Sequence, residues 1–225
     1  MIVIQNHEKK KLYHGQFRQQ MVDTQLKPNL IVSSALLKAF LAVDRENYVF
    51  KEQKNICYSD QLVPLKSGRF LLPSLTIATI LQNISFENRK KVLVIGAGLG
   101  YTLALFLELG LHVVGIDHEF FVENACAMHP YLKEFYFAAS LIAGMPEKGP
   151  FDIILIEGGI QSIPLNIITQ LKEKGQLATL IHQGGHSCYV GTVFQRRKQV
   201  IKPIYVFDTV GYLLPDFKKE KIFKF

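Results

Sequence analysis

A buried strand, a glycine turn and the beginning of a helix follow one another in Val92-Leu-Val-Ile-Gly-Ala-Gly-Leu-Gly-Tyr101. The four apolar residues at its start are typical of a strand in the interior of a parallel sheet. Gly96, Gly98 and Gly100 follow at alternate positions, before a helix-forming run that extends to Leu109. Because glycine has no Cβ atom, such a turn lets a ligand contact backbone N–H groups at the helix N-terminus. The segment therefore predicts a strand-turn-helix unit that binds a small molecule.

A second predicted strand supports this interpretation. It covers His112-Val-Val-Gly-Ile116 and ends in Asp117, about 20 residues after the first glycine, a separation found in nucleotide-binding βαβ units. A carboxylate at that position can accept hydrogen bonds from both hydroxyls of a ribose. The glycines are spaced G-x-G-x-G rather than G-x-G-x-x-G, which disfavours a dinucleotide. The pattern instead resembles the S-adenosylmethionine site of Rossmann-like methyltransferases; the alternative is an α/β domain whose first turn is merely tight.

The composition is that of a folded globular protein. Of 225 residues, 48% are hydrophobic and 20% are charged, so we expect one domain over residues 1–225, with a helical N-terminal region (1–90) and a cofactor-binding sheet region (91–225). No long apolar run indicates a membrane span, and the N-terminus lacks the charge order of a signal peptide. Cys57, Cys126 and Cys188 match no zinc spacing and fit reduced thiols. These features predict a cytoplasmic protein.

The formal charge of +7 at pH 7 is compatible with an acidic partner such as nucleic acid. The basic residues, however, collect at Lys9–Lys11, Lys218–Lys221 and Arg196–Lys198, and terminal charge runs are usually solvated. A nucleic-acid methyltransferase would also need aromatic residues among the basic groups, and Arg69-Phe70 is the one pair with that character. Nucleic acid is therefore disfavoured as a partner.

The N-terminal region is predicted to form three helices that cover the sheet. Apolar residues approximate helical spacing from Leu12 to Lys27, and Pro28 ends that helix. Ser33 or Ser34 can cap a second helix. A third covers Pro73–Gln82, with proline in the first turn, where it is tolerated. The residues between the second and third helices have no clear period and are predicted to form an ordered loop.

The C-terminal half continues the alternation of strands and helices. The strand Pro150–Ile156 is apolar and ends at Glu157, so its carboxyl end faces the same crevice as the glycine turn. The other predicted elements are a helix at Phe121–Met128, a strand at Phe135–Phe137, a helix at Pro164–Lys172 and strands at Gln176–Ile181, Tyr189–Gln195 and Val200–Phe207. The sequence thus predicts an α/β fold: a mostly parallel, doubly wound sheet with a helical N-terminal cover and an antiparallel C-terminal strand pair.

Several short motifs identify a family when they are taken together. They are Arg18-Gln-Gln-Met21-Val22-x-x-Gln25-Leu26, Ala39-x-x-x-Val43-x-Arg45-Glu46-x-x-Val49, Tyr58-x-Asp60, the glycine segment, Phe151-Asp152, Pro164 and Gln170-Leu171-x-x-x-Gly175. In order and spacing they resemble protein-L-isoaspartate O-methyltransferase over roughly residues 14 to 183. The resemblance implies a divergent member of this family with the Rossmann-like, S-adenosylmethionine-dependent methyltransferase fold.

The implied activity is transfer of a methyl group from S-adenosyl-L-methionine to the α-carboxylate of isoaspartyl residues in damaged proteins, which begins their repair. Because that carboxylate is ionised at neutral pH, no general base is required, and no catalytic residue is predicted. The resemblance implies a cofactor site at Gly96, Ala97, Gly98, Gly100, Asp117, His118, Ser140 and Glu157, and a substrate site at Asp60, Arg69, Leu72 and Pro73. No metal is expected: His182 and His186 have ligand spacing, but the glycines between them break a helix.

Three positions depart from the family pattern. Val94 replaces an acidic residue two positions before the first glycine, Ser140 stands where the family has an aspartate on the adenine amino group, and the loop Gly68–Pro73 has no serine before its proline. Weakened activity is therefore expected, unless Arg69 turns inward and contacts the substrate instead of being solvated. The alternative is a non-catalytic protein of the same fold that serves as a binding or scaffold module. Leu214–Phe217 also departs from the family ending, and no role is carried over to it.

Overall fold

The computed structural model describes residues 14–88, 91–184, 189–198 and 200–218. The described strands are β1 (Val63–Pro64), β2 (Phe70–Leu71), β3 (Lys91–Ile95), β4 (His112–Asp117), β5 (Tyr136–Ala138), β6 (Phe151–Ile160), β7 (Leu171–His182), β8 (Tyr189–Arg197) and β9 (Val200–Thr209). The last seven form one sheet in the order β5-β4-β3-β6-β7-β8-β9, while β1 and β2 form a separate hairpin. Pairing is parallel from β5 to β7 and antiparallel from β7 to β9. The predicted sheet, with its antiparallel C-terminal pair, is therefore confirmed.

The order of strands changes direction at the centre of the sheet. From β3 the chain adds β4 and β5 on one side and then returns to place β6 and β7 on the other. Residues Val92–Ile95 of β3 are fully buried, as expected for a strand covered on both faces. At such a point the carboxyl ends of the neighbouring strands border a crevice. Ile95 pairs with Ile156, so the glycine turn after β3 and Glu157 in β6 reach this crevice at the same level.

The described helices are α1 (residues 14–21), α2 (Ser34–Ala42), α3 (Ser74–Gln82), α4 (Tyr101–Glu108), α5 (Glu119–Met128) and α6 (Leu165–Thr169). Ser33 caps α2, because its side chain accepts a hydrogen bond from the Leu36 N–H. α2 packs on α4, and α3 packs on β8, so the N-terminal helices cover the sheet. One hydrophobic cluster joins residues of these helices and of the sheet. None of the described helices has the length and hydrophobicity needed to span a bilayer.

The helix predicted over Pro164–Lys172 is shorter in the structure. α6 ends at Thr169, and Leu171 already pairs with Phe151 as the first residue of β7. Burial of Leu171 against the sheet outweighs the helical pattern of the residues before it. β7 consequently begins earlier than the predicted strand, with an irregular register before Gln176.

The helix predicted from Leu12 to Lys27 changes form along its length. It is α-helical over 14–21, continues as a π-helical turn at Val22–Leu26 and ends in a 3₁₀ turn at Lys27–Asn29, which contains Pro28. Proline lacks the N–H that another helical turn would require, so the helix ends where predicted. The loop predicted before α3 contains short 3₁₀ turns and the β1–β2 hairpin.

Candidate functional site

The glycine turn lies at the bottom of the crevice, and other parts of the chain cover it. Gly96, Gly98 and Gly100 have φ angles of 79°, 57° and 92°, in the left-handed region that favours glycine. A Cβ atom at Gly96 would lie 3.1 Å from Arg69 Nη2 and 3.5 Å from Leu214 Cδ2. The backbone that the sequence assigns to a ligand is therefore in contact with side chains of this chain.

Asp117 is the carboxylate at the end of β4, and Arg69 neutralises it. Arg69 Nη1 donates to Asp117 Oδ1 at 2.8 Å, and Arg69 Nη2 donates to Asp117 Oδ2 at 2.9 Å. The backbone N–H groups of Gly98 and His118 donate to the same carboxylate, each at 2.8 Å. The side chains of Arg69 and Asp117 are only 2% and 0% exposed. They form a buried, bidentate ion pair of the strong, charge-assisted kind.

Arg69 has further partners in the crevice. Its Nη2 also donates to Gly96 O at 2.8 Å, and its Nε donates to Tyr212 Oη at 3.2 Å. The guanidinium lies over the ring of Phe121, 4.9 Å from the centroid. Burial by itself would lower the pKa of Arg69, but the Tyr212 hydroxyl and the Asp117 carboxylate outweigh it and raise this pKa above its ordinary value. Arg69 therefore stays a cation in this position.

The C-terminal segment 211–217, here called the strap, crosses the same crevice. The Gly159 N–H in β6 donates to Tyr212 O at 2.7 Å, and the Leu214 N–H donates to Gly159 O at 2.9 Å. A Cβ atom at Gly158 would lie 2.6 Å from Leu214 Cγ. The strap is therefore paired with β6, and Leu214 packs directly on the strand backbone.

The strap also connects β6 to the end of β4. Tyr212 Oη donates to the backbone carbonyl of Glu157 at 3.1 Å. Farther along, Asp216 Oδ1 lies 3.0 Å from His118 Nε2, on the residue that follows Asp117. His118 is half exposed, so this second contact lies at the rim of the crevice.

Glu157 is a buried acid on the wall of the crevice formed by β6. It is 3% exposed, and its Oε2 has no hydrogen-bond partner among the described residues. Burial raises the pKa of Glu157 to about 8, although the Thr102 hydroxyl and the guanidinium groups of Arg69 and Arg45 act in the opposite direction. A strongly perturbed acid in a crevice is a common feature of binding sites.

Glu157 should make the stability of the fold depend on pH. Because its pKa is raised from 4.5 to about 8, the folded protein holds this proton more tightly than the unfolded chain does. The free energy of unfolding should therefore fall as the pH rises from 4.5 to about 8, and the loss should be complete above that pH. Urea unfolding of the wild type and Glu157→Gln across this range checks it. The wild type should lose stability relative to the variant, and parallel curves would refute the assignment.

Most of the predicted cofactor residues lie around the crevice, and Ser140 lies in an exposed loop. The turn Gly96–Gly100, which includes Ala97, lies with Asp117, His118 and Glu157 around the crevice. Ser140 is exposed in the loop after β5, and its Oγ accepts a hydrogen bond from the Ala143 N–H at 3.4 Å. Their roles toward a cofactor remain predictions.

The predicted substrate residues have three different environments. Arg69 is not solvated, and its guanidinium is engaged inside the crevice. Asp60 and Pro73 line a cavity of about 320 Å³ between α3 and the end of β9. Leu72 is buried, and its carbonyl accepts a hydrogen bond from Arg45 Nη2 at 2.7 Å. Contact of these residues with a substrate stays a prediction.

Sequence reasoning did not identify three residues of the crevice, Leu65, Tyr212 and Leu214. A Cβ atom at Gly98 would lie 3.1 Å from Leu65 Cδ1, so this leucine also covers the turn. The one sequence signal for the strap is that Leu214–Phe217 departs from the family ending. No metal site is formed among the described residues by groups of His, Cys, Asp and Glu side chains.

Several predicted features lie outside the described residues. They are the first two residues of the helix predicted from Leu12, His186, Cys188, the basic run Lys9–Lys11 and most of the run Lys218–Lys221. The expectation that His182 and His186 bind no metal, and the solvation of the charged termini, therefore stay predictions from the sequence.

The polar groups of the crevice fit a nucleoside cofactor such as S-adenosyl-L-methionine. The crevice offers a carboxylate at the end of β4, a glycine turn and, in Glu157, a buried acid oxygen without a hydrogen-bond partner among the described residues. Asp117 and the turn Gly96–Gly100 would hold such a molecule. Arg69, Leu65 and Leu214 occupy the space beside them, so the fit requires these three side chains to move.

Comparison with known proteins relates the chain to one family. A sequence profile of Protein-L-isoaspartate(D-aspartate) O-methyltransferase matches residues 16–210. A protein-L-isoaspartate O-methyltransferase of Chlorobium phaeobacteroides is 30% identical over 188 residues, which cover 81% of this chain and 85% of the relative. One from Methylorubrum extorquens is 31% identical over 165 residues, covering 71% of this chain and 72% of the relative.

Solved structures share the fold. A protein-L-isoaspartate O-methyltransferase has a TM-score of 0.75 at 22% identity, with 88% of this chain covered and 65% of that chain. A Plasmodium falciparum protein described as a beta-aspartate methyltransferase, solved with S-adenosyl-L-homocysteine, has a TM-score of 0.70 at 20% identity, with 90% and 98% covered. At these identities the likeness concerns the fold, and the predicted fold class is confirmed.

Proposed function

The chain belongs to the protein-L-isoaspartate(D-aspartate) O-methyltransferase family, and we propose on this premise that it transfers a methyl group from S-adenosyl-L-methionine to the α-carboxylate of isoaspartyl residues in proteins. The observation that supports the proposal best is the position of Asp117. This carboxylate ends β4 and accepts a hydrogen bond from the Gly98 N–H at 2.8 Å. A carboxylate suited to ribose hydroxyls and a glycine turn thus face one crevice, which supports cofactor binding there.

In this proposal the crevice binds and orients rather than exchanging protons. S-adenosyl-L-methionine, when bound, supplies an electrophilic methyl group on a sulfonium. Asp117 would accept the ribose hydroxyls, the turn Gly96–Gly100 would contact the cofactor through its backbone, and His118, Ser140 and Glu157 would complete the walls. The accepting carboxylate is ionised at neutral pH. The chain therefore needs no general base and contributes by holding two reactants in position.

The substrate side is where the chain departs most from the family pattern. The loop Gly68–Pro73 has no serine, and Leu71 and Leu72 within it are buried. Loss of one hydrogen bond to the substrate would slow transfer by roughly five- to 150-fold. We expect slow methylation for this reason, with Asp60 and Pro73 as the remaining substrate contacts.

Methyl transfer to an isoaspartyl peptide tests the proposal. With labelled S-adenosyl-L-methionine, we expect the isoaspartyl peptide to be labelled and the matching aspartyl peptide to remain unlabelled. Asp117→Asn should lower the rate about tenfold or more, because it removes a charged acceptor. Asp23→Asn is the matched control, since Asp23 pairs with Lys27 on the surface at 2.6 Å. Equal labelling of both peptides, or of neither, would refute the activity.

A second candidate is a non-catalytic binding or scaffold protein of the same fold. The observation that favours it is the occupation of the crevice by Arg69 and Leu214. It predicts that S-adenosyl-L-homocysteine binds neither to the wild type nor to a variant that lacks Arg69. The two candidates are thus separated by one binding measurement.

For its setting we propose the cytoplasm, without a nucleic-acid partner. Cys57 and Cys126 are free thiols, which suits a reducing compartment. In the basic group on β8, Arg196 donates hydrogen bonds to the carbonyls of Lys198 and Leu171, so its guanidinium is partly engaged within the fold. Salt-dependent binding of RNA or DNA at micromolar protein would refute the proposal that nucleic acid is not a partner.

A further inference from the structure

We infer that Arg69 and the strap form an internal latch on the cofactor crevice. S-adenosyl-L-methionine enters when Arg69 leaves Asp117 and when Leu65 and Leu214 leave the glycine turn. The latch rests on the proposed function, because it regulates the same crevice. It makes cofactor binding depend on a conformational step that this chain's own side chains control.

The first support is the hydrogen-bonding capacity of Asp117. A carboxylate offers about four acceptor positions. Asp117 uses them for Arg69 Nη1, Arg69 Nη2, the Gly98 N–H and the His118 N–H, at distances of 2.8–2.9 Å. The two backbone donors lie in the turn after β3 and directly after β4, whereas the two Arg69 donors come from the separate β1–β2 hairpin. Ribose hydroxyls can therefore bind Asp117 only in place of Arg69.

The second support is the space above the glycine turn. Added Cβ atoms at Gly96 and Gly98 would lie 3.1 Å from Arg69 Nη2 and Leu65 Cδ1, respectively. At Gly158, on the neighbouring strand, the corresponding distance to Leu214 Cγ is 2.6 Å. These contacts leave no room for a ligand atom against the backbone. The same three side chains that close the turn must be displaced for a cofactor to reach it.

The third support is that Arg69 belongs to an element able to move. β1 and β2 pair through two residues each, and the Leu65 N–H donates to Arg69 O at 2.8 Å across the turn. Ser67 and Gly68 at the tip are exposed and have φ angles of 55° and 69°. The buried side chains of Val63 and Leu71 hold the base of the hairpin in the hydrophobic core. The part of the hairpin that can move is therefore its exposed tip, with Leu65 and Arg69 at its two ends.

The strap buries the side chains of Tyr212, Leu214 and Phe217, and a small number of polar contacts fix its path. Its pairing with β6 consists of the two backbone hydrogen bonds at Gly159, and its far end is fixed by the Asp216–His118 pair at the rim. Tyr212 links it to the hairpin through Arg69 Nε. Release of Arg69 therefore weakens the strap as well, so the two parts of the latch should open together.

The latch lowers the apparent affinity in proportion to the fraction of molecules that are open. With an open fraction of about 1–10%, the measured dissociation constant is roughly ten- to hundredfold weaker than that of the open form. A variant without the latch should regain this factor in the dissociation constant. Substitution of an exposed arginine outside the crevice should leave the dissociation constant unchanged.

Isothermal titration calorimetry of the full chain with S-adenosyl-L-homocysteine tests the latch. Arg69→Met keeps an aliphatic stem but no donor to Asp117, and we expect it to bind roughly ten- to hundredfold more tightly than the wild type. Tyr212→Phe removes only the hydroxyl beside Arg69 Nε and should bind more tightly by a smaller factor. Arg197→Met is the matched control, because Arg197 is exposed on β8, and its affinity should equal that of the wild type.

The hydrogen-exchange rate of the Leu214 amide in the wild type is a second measurement, and it does not depend on any variant folding. The Leu214 amide donates to Gly159 O at 2.9 Å, and saturating S-adenosyl-L-homocysteine should accelerate its exchange. Binding by Arg69→Met and Tyr212→Phe no tighter than by the wild type, or unchanged exchange in the saturated protein, would overturn the latch and leave the proposed function standing. Absence of binding by the wild type and both variants would overturn the proposed function together with the latch.

Discussion

Asp117→Ala is expected to lower the free energy of unfolding by roughly 3–5 kcal/mol, because it leaves the buried Arg69 guanidinium without its counter-charge. Arg69 is 2% exposed and donates to both carboxylate oxygens of Asp117, at 2.8 and 2.9 Å. The Gly98 and His118 N–H groups lose their acceptor in the same variant, which adds to the cost.

A double-mutant cycle with Arg69→Met separates the pair from the rest of the crevice. Urea unfolding should show that the double variant loses less stability than the two single variants added together, with a coupling of about 1–3 kcal/mol. Asp23→Ala, which breaks the surface pair with Lys27, should leave the unfolding curve nearly unchanged. A loss of less than about 1 kcal/mol in Asp117→Ala would place the pair among weak surface contacts and contradict the buried geometry.

Gly159→Ala is expected to cost about 1–3 kcal/mol or more and to loosen the strap, because there is no space for a methyl group at this position. An added Cβ atom would lie 2.7 Å from Tyr212 O and would overlap the ring of Tyr189. The first of these atoms is backbone and accepts the Gly159 N–H, so relief requires the strap to move away from β6.

Limited proteolysis and thermal unfolding check this expectation together. Cleavage within residues 211–217 should become faster in Gly159→Ala than in the wild type. Gly15→Ala is the matched control, because no atom lies within 4 Å of an added Cβ there and the residue is helical. That variant should be neutral or slightly stabilising. Unchanged cleavage of the strap in Gly159→Ala would show that β6 does not hold it.

The parts of the fold that sequence predicts are those with a local signal. The apolar run Val92–Ile95 is typical of an interior strand, and the alternate glycines after it favour a tight turn. Asp117 follows from its position at the end of the next strand. The helix over Pro164–Lys172 was wrong at its C-terminal end, because pairing of Leu171 with Phe151 is a tertiary contact that no local period reveals.

The closure of the crevice has no local signal at all. Arg69 and Asp117 are separated by 48 residues, and Tyr212 and Glu157 by 55. The sequence favours a solvated arginine beside Gly68, because an inward-facing one leaves no pattern in the neighbouring residues that would reveal it. Which partner it takes is determined by the sheet order, which brings the end of β4 beneath the hairpin.

The side-chain Nε–Hε resonance of Arg69 offers the most direct test of the latch. In the ligand-free protein this group donates to Tyr212 Oη at 3.2 Å and is buried, so its proton should exchange slowly with water. Titration with S-adenosyl-L-homocysteine should convert the signal, in step with binding, to that of a solvated arginine such as Arg197. A saturated protein in which the Arg69 signal keeps its shift and its slow exchange would contradict the account.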